Sequence, residues 1–234
     1  MRPGVVAAGL VSLSPLLLGA AAPGGEPPLP ARMADTGGGT QLITAQAPRA
    51  DSTSGTLSWW DLRNGQWVKT GSTQARFGAN GLVDGASRKQ GTNRTPAGLY
   101  DLPFGFGIKK APSGTAVAYR PVRENSWWCQ DNDSRAYNRW TEPRPSDCRA
   151  AESEHLISYE TQYAYALVIG FNYHKPVRGR GAGIFLHVNG RGATAGCVSV
   201  PVAAMRALVR WADPALRPHI AIGTRSGPTA ITRY

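Results

Sequence analysis

Two residues of this chain have the types and spacing for covalent chemistry. His187 ends the apolar, β-prone run Ile184-Phe185-Leu186, and Cys197 follows ten residues later within Thr194-Ala195-Gly196-Cys197. A thiolate is a strong nucleophile, and a neighbouring imidazole can take the thiol proton and later return it to a leaving group. The Asn and Gly cluster after His187 punctuates the run, so the histidine is expected at a strand terminus. Gly196 permits a tight backbone approach beside the sulfur. Pro201 suits a first helical turn, where its missing N–H costs nothing, and Val202, Met205, Val209 and Ala212 then recur at helical spacing with Arg206 and Arg210 opposite. A helix over 201–213 would support the cysteine turn and bring the positive end of its dipole near the sulfur, favouring a thiolate. Backbone N–H groups of Gly196 and Cys197 are the expected oxyanion donors. Asn189, Thr194, Ala195 and Ser199 are the expected substrate-side neighbours.

A cysteine taken alone is more often an inert small hydrophobe than a nucleophile. The context here is wider. The stretch from His187 to Cys197 resembles the catalytic signature of the YkuD-type L,D-transpeptidases, a histidine, a variable loop, then Ser/Thr-x-Gly-Cys. Upstream, Gly91-Thr92-Asn93-Arg94-Thr95-Pro96-Ala97-Gly98-Leu99-Tyr100 is similar to that family's G-x-x-x-T-P-x-G-x-Y/F element. The resemblance spans roughly 41–222. It departs at Ala195, where the family usually has a second histidine, at Ser199, where it usually has Arg or Asn, and in its short histidine-to-cysteine loop. The resemblance implies a β-sandwich or barrel with one or two short helices, Cys197 as nucleophile, His187 as its base and no cofactor. It also implies a peptidoglycan substrate. A tetrapeptide stem would form a thioester with Cys197 and pass to an amine on a neighbouring stem. Resolution by water would instead give an L,D-carboxypeptidase. Another exported thiol hydrolase, or a wall-binding module without activity, are the further readings.

Composition frames these expectations. The chain has 234 residues, 41% of them hydrophobic, with 28 glycines and 18 prolines, which favours one loop-rich, mainly β domain over a helical bundle. Against 15 Asp and Glu stand 26 Lys and Arg, a net charge of +11 that suits anionic surroundings such as wall polymers. The arginines are dispersed and no nucleic-acid motif accompanies them, so nucleic acid is not expected as a partner. Arg2, the apolar run 5–18 and the small residues 19–22 read as a signal peptide over 1–22, followed by a flexible Pro/Gly-rich linker over 23–40 and a catalytic domain over 41–234. No later segment is long and apolar enough to span a membrane, so the mature form is expected without a span, in the extracytoplasmic wall.

Three cysteines in an oxidising compartment suggest one pair and one free thiol. Cys129 and Cys148 are the expected disulfide, and pairing of either with Cys197 would abolish the nucleophile. Calcium held by Asp131, Asn132, Asp133 and Asp147 is the lesser reading of that loop, since an EF-hand's ligand order is absent. His155, His174 and His219 have no metal-ligand spacing, and no metal is expected. Strands are expected over 41–45, 57–61, 66–69, 115–119, 163–171, 183–188 and 219–223, with Asn64-Gly65 as a hairpin turn. The Trp59-Trp60 and Trp127-Trp128 pairs suit either a groove or sheet packing.

Overall fold

The computed structural model describes Met1 and residues 25–234; the expected signal peptide lies outside the described residues, apart from Met1. In chain order the strands are β1 (Gln41–Ala47), β2 (Ser54–Arg63), β3 (Gln66–Arg76), β4 (Leu82–Asp84), β5 (Thr95–Asp101), β6 (Gly105–Gly107), β7 (Tyr119–Pro121), β8 (Trp127–Cys129), β9 (Arg139–Thr141), β10 (Ser153–His155), β11 (Ala166–Val168), β12 (Phe185–Val188), β13 (Val198–Val200) and β14 (His219–Thr224). One α-helix, α1 (Val202–Trp211), lies between β13 and β14. The mainly β expectation holds.

Eleven strands run in the order β4-β5-β14-β1-β2-β3-β13-β12-β11-β6-β7. A single residue pair, Ser199 with Arg76, joins β13 to β3, and a bridge between Gly78 and Thr194 extends the junction of the sheet's two parts. Apolar residues from both parts meet in one core. Ile43 and Ala45 of β1, Leu57 of β2 and Ile220 and Ile222 of β14 pack with Leu167 of β11, Leu186 and Val188 of β12, and Met205, Leu208 and Val209 of α1. Burying each such large side chain contributes roughly 1.5–3 kcal/mol. The expected hairpin forms at Asn64-Gly65, with both residues at positive φ (49° and 76°) and Arg63 opposite Gln66.

Several expectations change. A turn closed by the Thr115 N–H on the Pro112 carbonyl ends at residue 115, the chain from there to 118 is irregular, and only Tyr119 of the expected strand enters one. Within 163–171 the strand is limited to β11, because a 3-10 turn over Gln162–Ala164 precedes it. The described part of the expected linker is docked. A 3-10 turn at Leu29–Arg32 is followed by hydrogen bonds from Ala34 and Asp35 N–H to the carbonyls of Thr232 and Tyr234. Leu29 and Met33 cover Leu42, Ala221 and Ile231, and that apolar contact overrides the Pro/Gly composition.

A second, three-stranded sheet, β10-β8-β9, lies against the outer face of β11 and β12. Because strand side chains alternate, Leu186 and Val188 enter the main core while Phe185 and His187 face this smaller sheet. Phe185 is held edge-on by Trp128 and Phe106, with ring centres 4.8 and 5.0 Å away. Cys129 and Cys148 form the expected disulfide, with Cα atoms 6.2 Å apart. Asp131 accepts two hydrogen bonds from the Arg149 guanidinium at 2.6 and 2.7 Å, and Asp147 accepts from Ser134 and the Arg135 N–H, so both acids have protein partners. The tryptophans pack rather than line a groove at two positions: Trp60 donates to Thr44 and Trp128 to Asn138 from buried sites. Replacing Cys129 and Cys148 together by serine is expected to lower unfolding stability by about 3 kcal/mol, as for a loop of this length. Urea denaturation of the two proteins checks this; coincident midpoints would mean that the disulfide does not constrain the unfolded chain.

Candidate active site

Strand pairing brings the proposed nucleophile and base together. β12 and β13 are parallel neighbours, with Leu186 opposite Val198 and His187 opposite Ser199. Cys197, one residue before β13, therefore sits beside Phe185, and the Phe185 N–H donates to Cys197 Sγ at 3.3 Å. His187 lies two residues further along the same face. At about 3.3 Å per residue and about 4.8 Å between strands, cysteine and histidine are diagonal neighbours. Both line one cavity of about 220 Å³, together with Glu154, Gln162, Tyr163 and Thr194. They are 8% and 6% exposed.

The cysteine backbone is pinned from two directions. Thr194 Oγ1 and Thr95 Oγ1 both donate to the Cys197 carbonyl, at 2.7 and 3.2 Å. Thr95 begins β5 and itself accepts from the Gly78 N–H at 2.8 Å, which gives the upstream Thr-Pro element a physical role at the site. Gly196 has φ +134°, and a Cβ there would stand 2.8 Å from Arg88 Nη2. A side chain at this position would be strained twice over. The Gly196 N–H donates to Thr194 Oγ1 at 3.1 Å, so it is not a free oxyanion donor; among the described residues the Cys197 N–H has no such partner.

The helix expectation for the sulfur is corrected. Cys197 leads into β13 rather than α1, because the β-branched Val198 and Val200 complete the parallel ladder, and the helix begins only at Val202. The dipole is therefore not at the thiol. Burial, and then the Glu154 carboxylate, push the Cys197 pKa up to about 12, against smaller contributions from the Phe185 N–H and Arg88. The thiol donates to the Gly183 carbonyl at 3.4 Å. Burial pushes His187 down to about 4, opposed by its bond to Val188. Its Nδ1 lies 2.8 Å from the Val188 carbonyl, which can only accept, so Nδ1 carries the proton and Nε2 keeps a free lone pair. Around neutral pH the pair is thiol and neutral imidazole.

This sets an acid limit to stability. The unfolded chain protonates residue 187 near pH 6.5, whereas the folded chain resists until about 4. The contribution is complete above pH 6.5 and is lost as pH falls toward 4, roughly 3 kcal/mol in all. Urea denaturation at pH 7 and pH 4.5 should show a smaller acid loss for His187→Gln than for the unaltered protein. Equal losses would place the acid sensitivity elsewhere.

The remaining expected residues divide. Thr194 and Ala195 line the cavity. Ser199 Oγ and Asn189 Oδ1 instead bond each other at 2.8 Å; Ser199 is fully buried, and Asn189 faces a separate groove beside Val188 and Val202. They are in position to stabilise the β12–β13 junction. His155 stacks on Trp127, His174 meets Asp101 and His219 bonds the Arg217 carbonyl, all away from the cavity. Glu154, Tyr163 and Arg88 are site residues with no sequence signal. Each is an ordinary residue of its type in a stretch without a motif, and only the three-dimensional arrangement brings them to Cys197.

Residues 49–225 match the family model for YkuD, the L,D-transpeptidase catalytic domain. Comparison with curated proteins finds no match. Among solved structures, the chain is similar to Bd1075 of Bdellovibrio bacteriovorus, at 17% identity and a TM-score of 0.37, covering 79% of this chain and 48% of that one. The chain thus spans about half the length of that protein.

Proposed function

Because the chain belongs to the YkuD family of L,D-transpeptidase catalytic domains, we propose that it is an exported cysteine acyltransferase that forms a thioester with a peptidoglycan tetrapeptide stem and transfers it to an amine on a neighbouring stem. The observation that carries this reading is the placement of Cys197 and His187 on one face of adjacent parallel strands, lining one cavity.

The protonation states order the steps. His187 Nε2 takes the thiol proton as sulfur attacks the carbonyl of the third stem residue, so no preformed thiolate is required. The Cys197 N–H is the available donor for the oxyanion. Collapse breaks the bond to the fourth residue, whose amine leaves with the proton from His187. The acceptor amine then attacks the thioester, gives its proton to His187, and the thiol is restored on release. The basic surface, at +11, suits residence among anionic wall polymers. Intact mass spectrometry with a tetrapeptide donor and an amine acceptor tests the reading. An acyl adduct on Cys197 and a cross-linked product support it; a trimmed donor without cross-links makes the enzyme an L,D-carboxypeptidase, and an unreacted folded protein removes acyl transfer.

A further inference from the structure

A cleft of about 170 Å³ opens between the stretch 134–139 and the loop around Arg178, and neither Cys197 nor His187 lines it. Three guanidinium side chains do: Arg135, Arg139 and Arg178. None of them forms an ion pair with any described residue. The neighbouring acids are engaged elsewhere. Asp131 and Asp133 pair with Arg149, and Asp101 meets His174. Asp147 feels the charge of Arg135 without pairing with it, accepts from the Ser134 hydroxyl and the Arg135 N–H, and does not line the cleft.

Two of the three cations are held in place. Arg139 donates to the carbonyls of Asn138, Tyr173 and His174, and its guanidinium carbon lies 5.0 Å from the centre of the Tyr173 ring. Arg178 Nη2 donates to the Ser134 carbonyl at 3.1 Å and so ties the two walls together, while its Nε and Nη1 have no hydrogen-bond partner among the described residues. Arg135 is anchored by its backbone N–H on Asp147, and its guanidinium has no partner among the described residues. Tyr137 is buried with its hydroxyl taken by Gln90 and the Gly181 N–H, and closes the cleft without offering a competing acceptor.

Like charges gathered on one cleft repel, and an anion relieves the repulsion. The geometry selects among anions. A carboxylate presents two coplanar oxygens and satisfies one guanidinium fork, whereas the tetrahedral oxygens of a phosphate accept from donors arriving from separate directions. We propose that this cleft is a binding site for phosphate groups, carried by a phosphodiester wall polymer or free in solution. The site is independent of the acyl-transfer reading, because no residue of the Cys197 and His187 cavity lines it.

Calorimetric titration of the purified protein with inorganic phosphate, a glycerol phosphate oligomer and a galacturonate oligomer of equal charge tests the site. The phosphodiester oligomer should bind at least about 10-fold tighter than the polyuronate, and Arg135→Gln and Arg178→Gln should each weaken it by at least about 10-fold, the scale of losing a charge-assisted hydrogen bond. Arg206→Gln and Arg210→Gln remove the same charge from the exposed side of α1 and should change affinity by less than about twofold, as for a screened surface charge. Arg178→Gln also unties the walls; Arg135→Gln breaks no described side-chain bond and keeps the test sharp. Inorganic phosphate that binds as tightly per phosphate as the oligomer, with the same dependence on Arg135, upholds the site and makes free phosphate its ligand. Equal binding of the two polymers, equal weakening by all four variants, or no binding of any probe overturns it and leaves only the diffuse field of the +11 charge. Alkylation of Cys197 should leave oligomer binding unchanged; its loss would move the anion to the Cys197 cavity and overturn the site as well.

Discussion

Cys197→Ala is expected to abolish thioester formation, lowering turnover of a stem donor by at least about 10⁴-fold, the scale of removing the nucleophile from a covalent mechanism. The fold should survive. The sulfur touches backbone groups of Phe185 and Gly183 and lies in the second apolar cluster, while the bonds that pin the turn run to the Cys197 carbonyl, which alanine keeps. Circular dichroism and the urea midpoint of the variant should therefore stay close to those of the unaltered protein while the mass adduct vanishes. Unchanged turnover would assign the chemistry to another residue, and a matching loss of structure would make Cys197 a packing residue.

His187→Ala is expected to slow acylation by at least about 100-fold, and the pH profile separates a base from a structural side chain. With imidazole present, proton removal accompanies attack. Without it, attack depends on the thiolate fraction of a cysteine whose pKa is about 12. Residual acylation should then climb about tenfold per pH unit between pH 7 and 9, whereas the unaltered enzyme should respond less steeply over that range. A variant whose slowed rate keeps the unaltered profile would show His187 acting through packing against Tyr163 rather than as base.

Much of the fold could be read from the chain because its signals are local. The turn at Asn64-Gly65, the helix beginning after Pro201 and the strand before His187 depend on neighbours within a few residues. What escaped is non-local. Leu29 and Met33 lie in a Pro/Gly-rich stretch, and nothing near them in sequence announces the apolar patch of Leu42 and Ile231 that they cover. Cys197 and His187 were legible through type and spacing, but their protonation was not. The expected dipole at the sulfur failed because three residues of strand intervene before α1, and burial then set both titrations in the opposite direction from an ion pair. Glu154 and Arg88 belong to segments more than sixty residues apart and share a cavity only after the small sheet closes on β12.

The neutral, recessed thiol also bears on durability. Oxidation of a cysteine follows its thiolate character and its accessibility, and this sulfur is low in both. In surroundings rich in peroxide, a permanently ionised nucleophile would be consumed between turnovers. On the proposed mechanism the reactive form would arise only when a bound stem and His187 meet it, so the resting protein would carry its thiol in a chemically shelved state and expose it to oxidants for little of its lifetime.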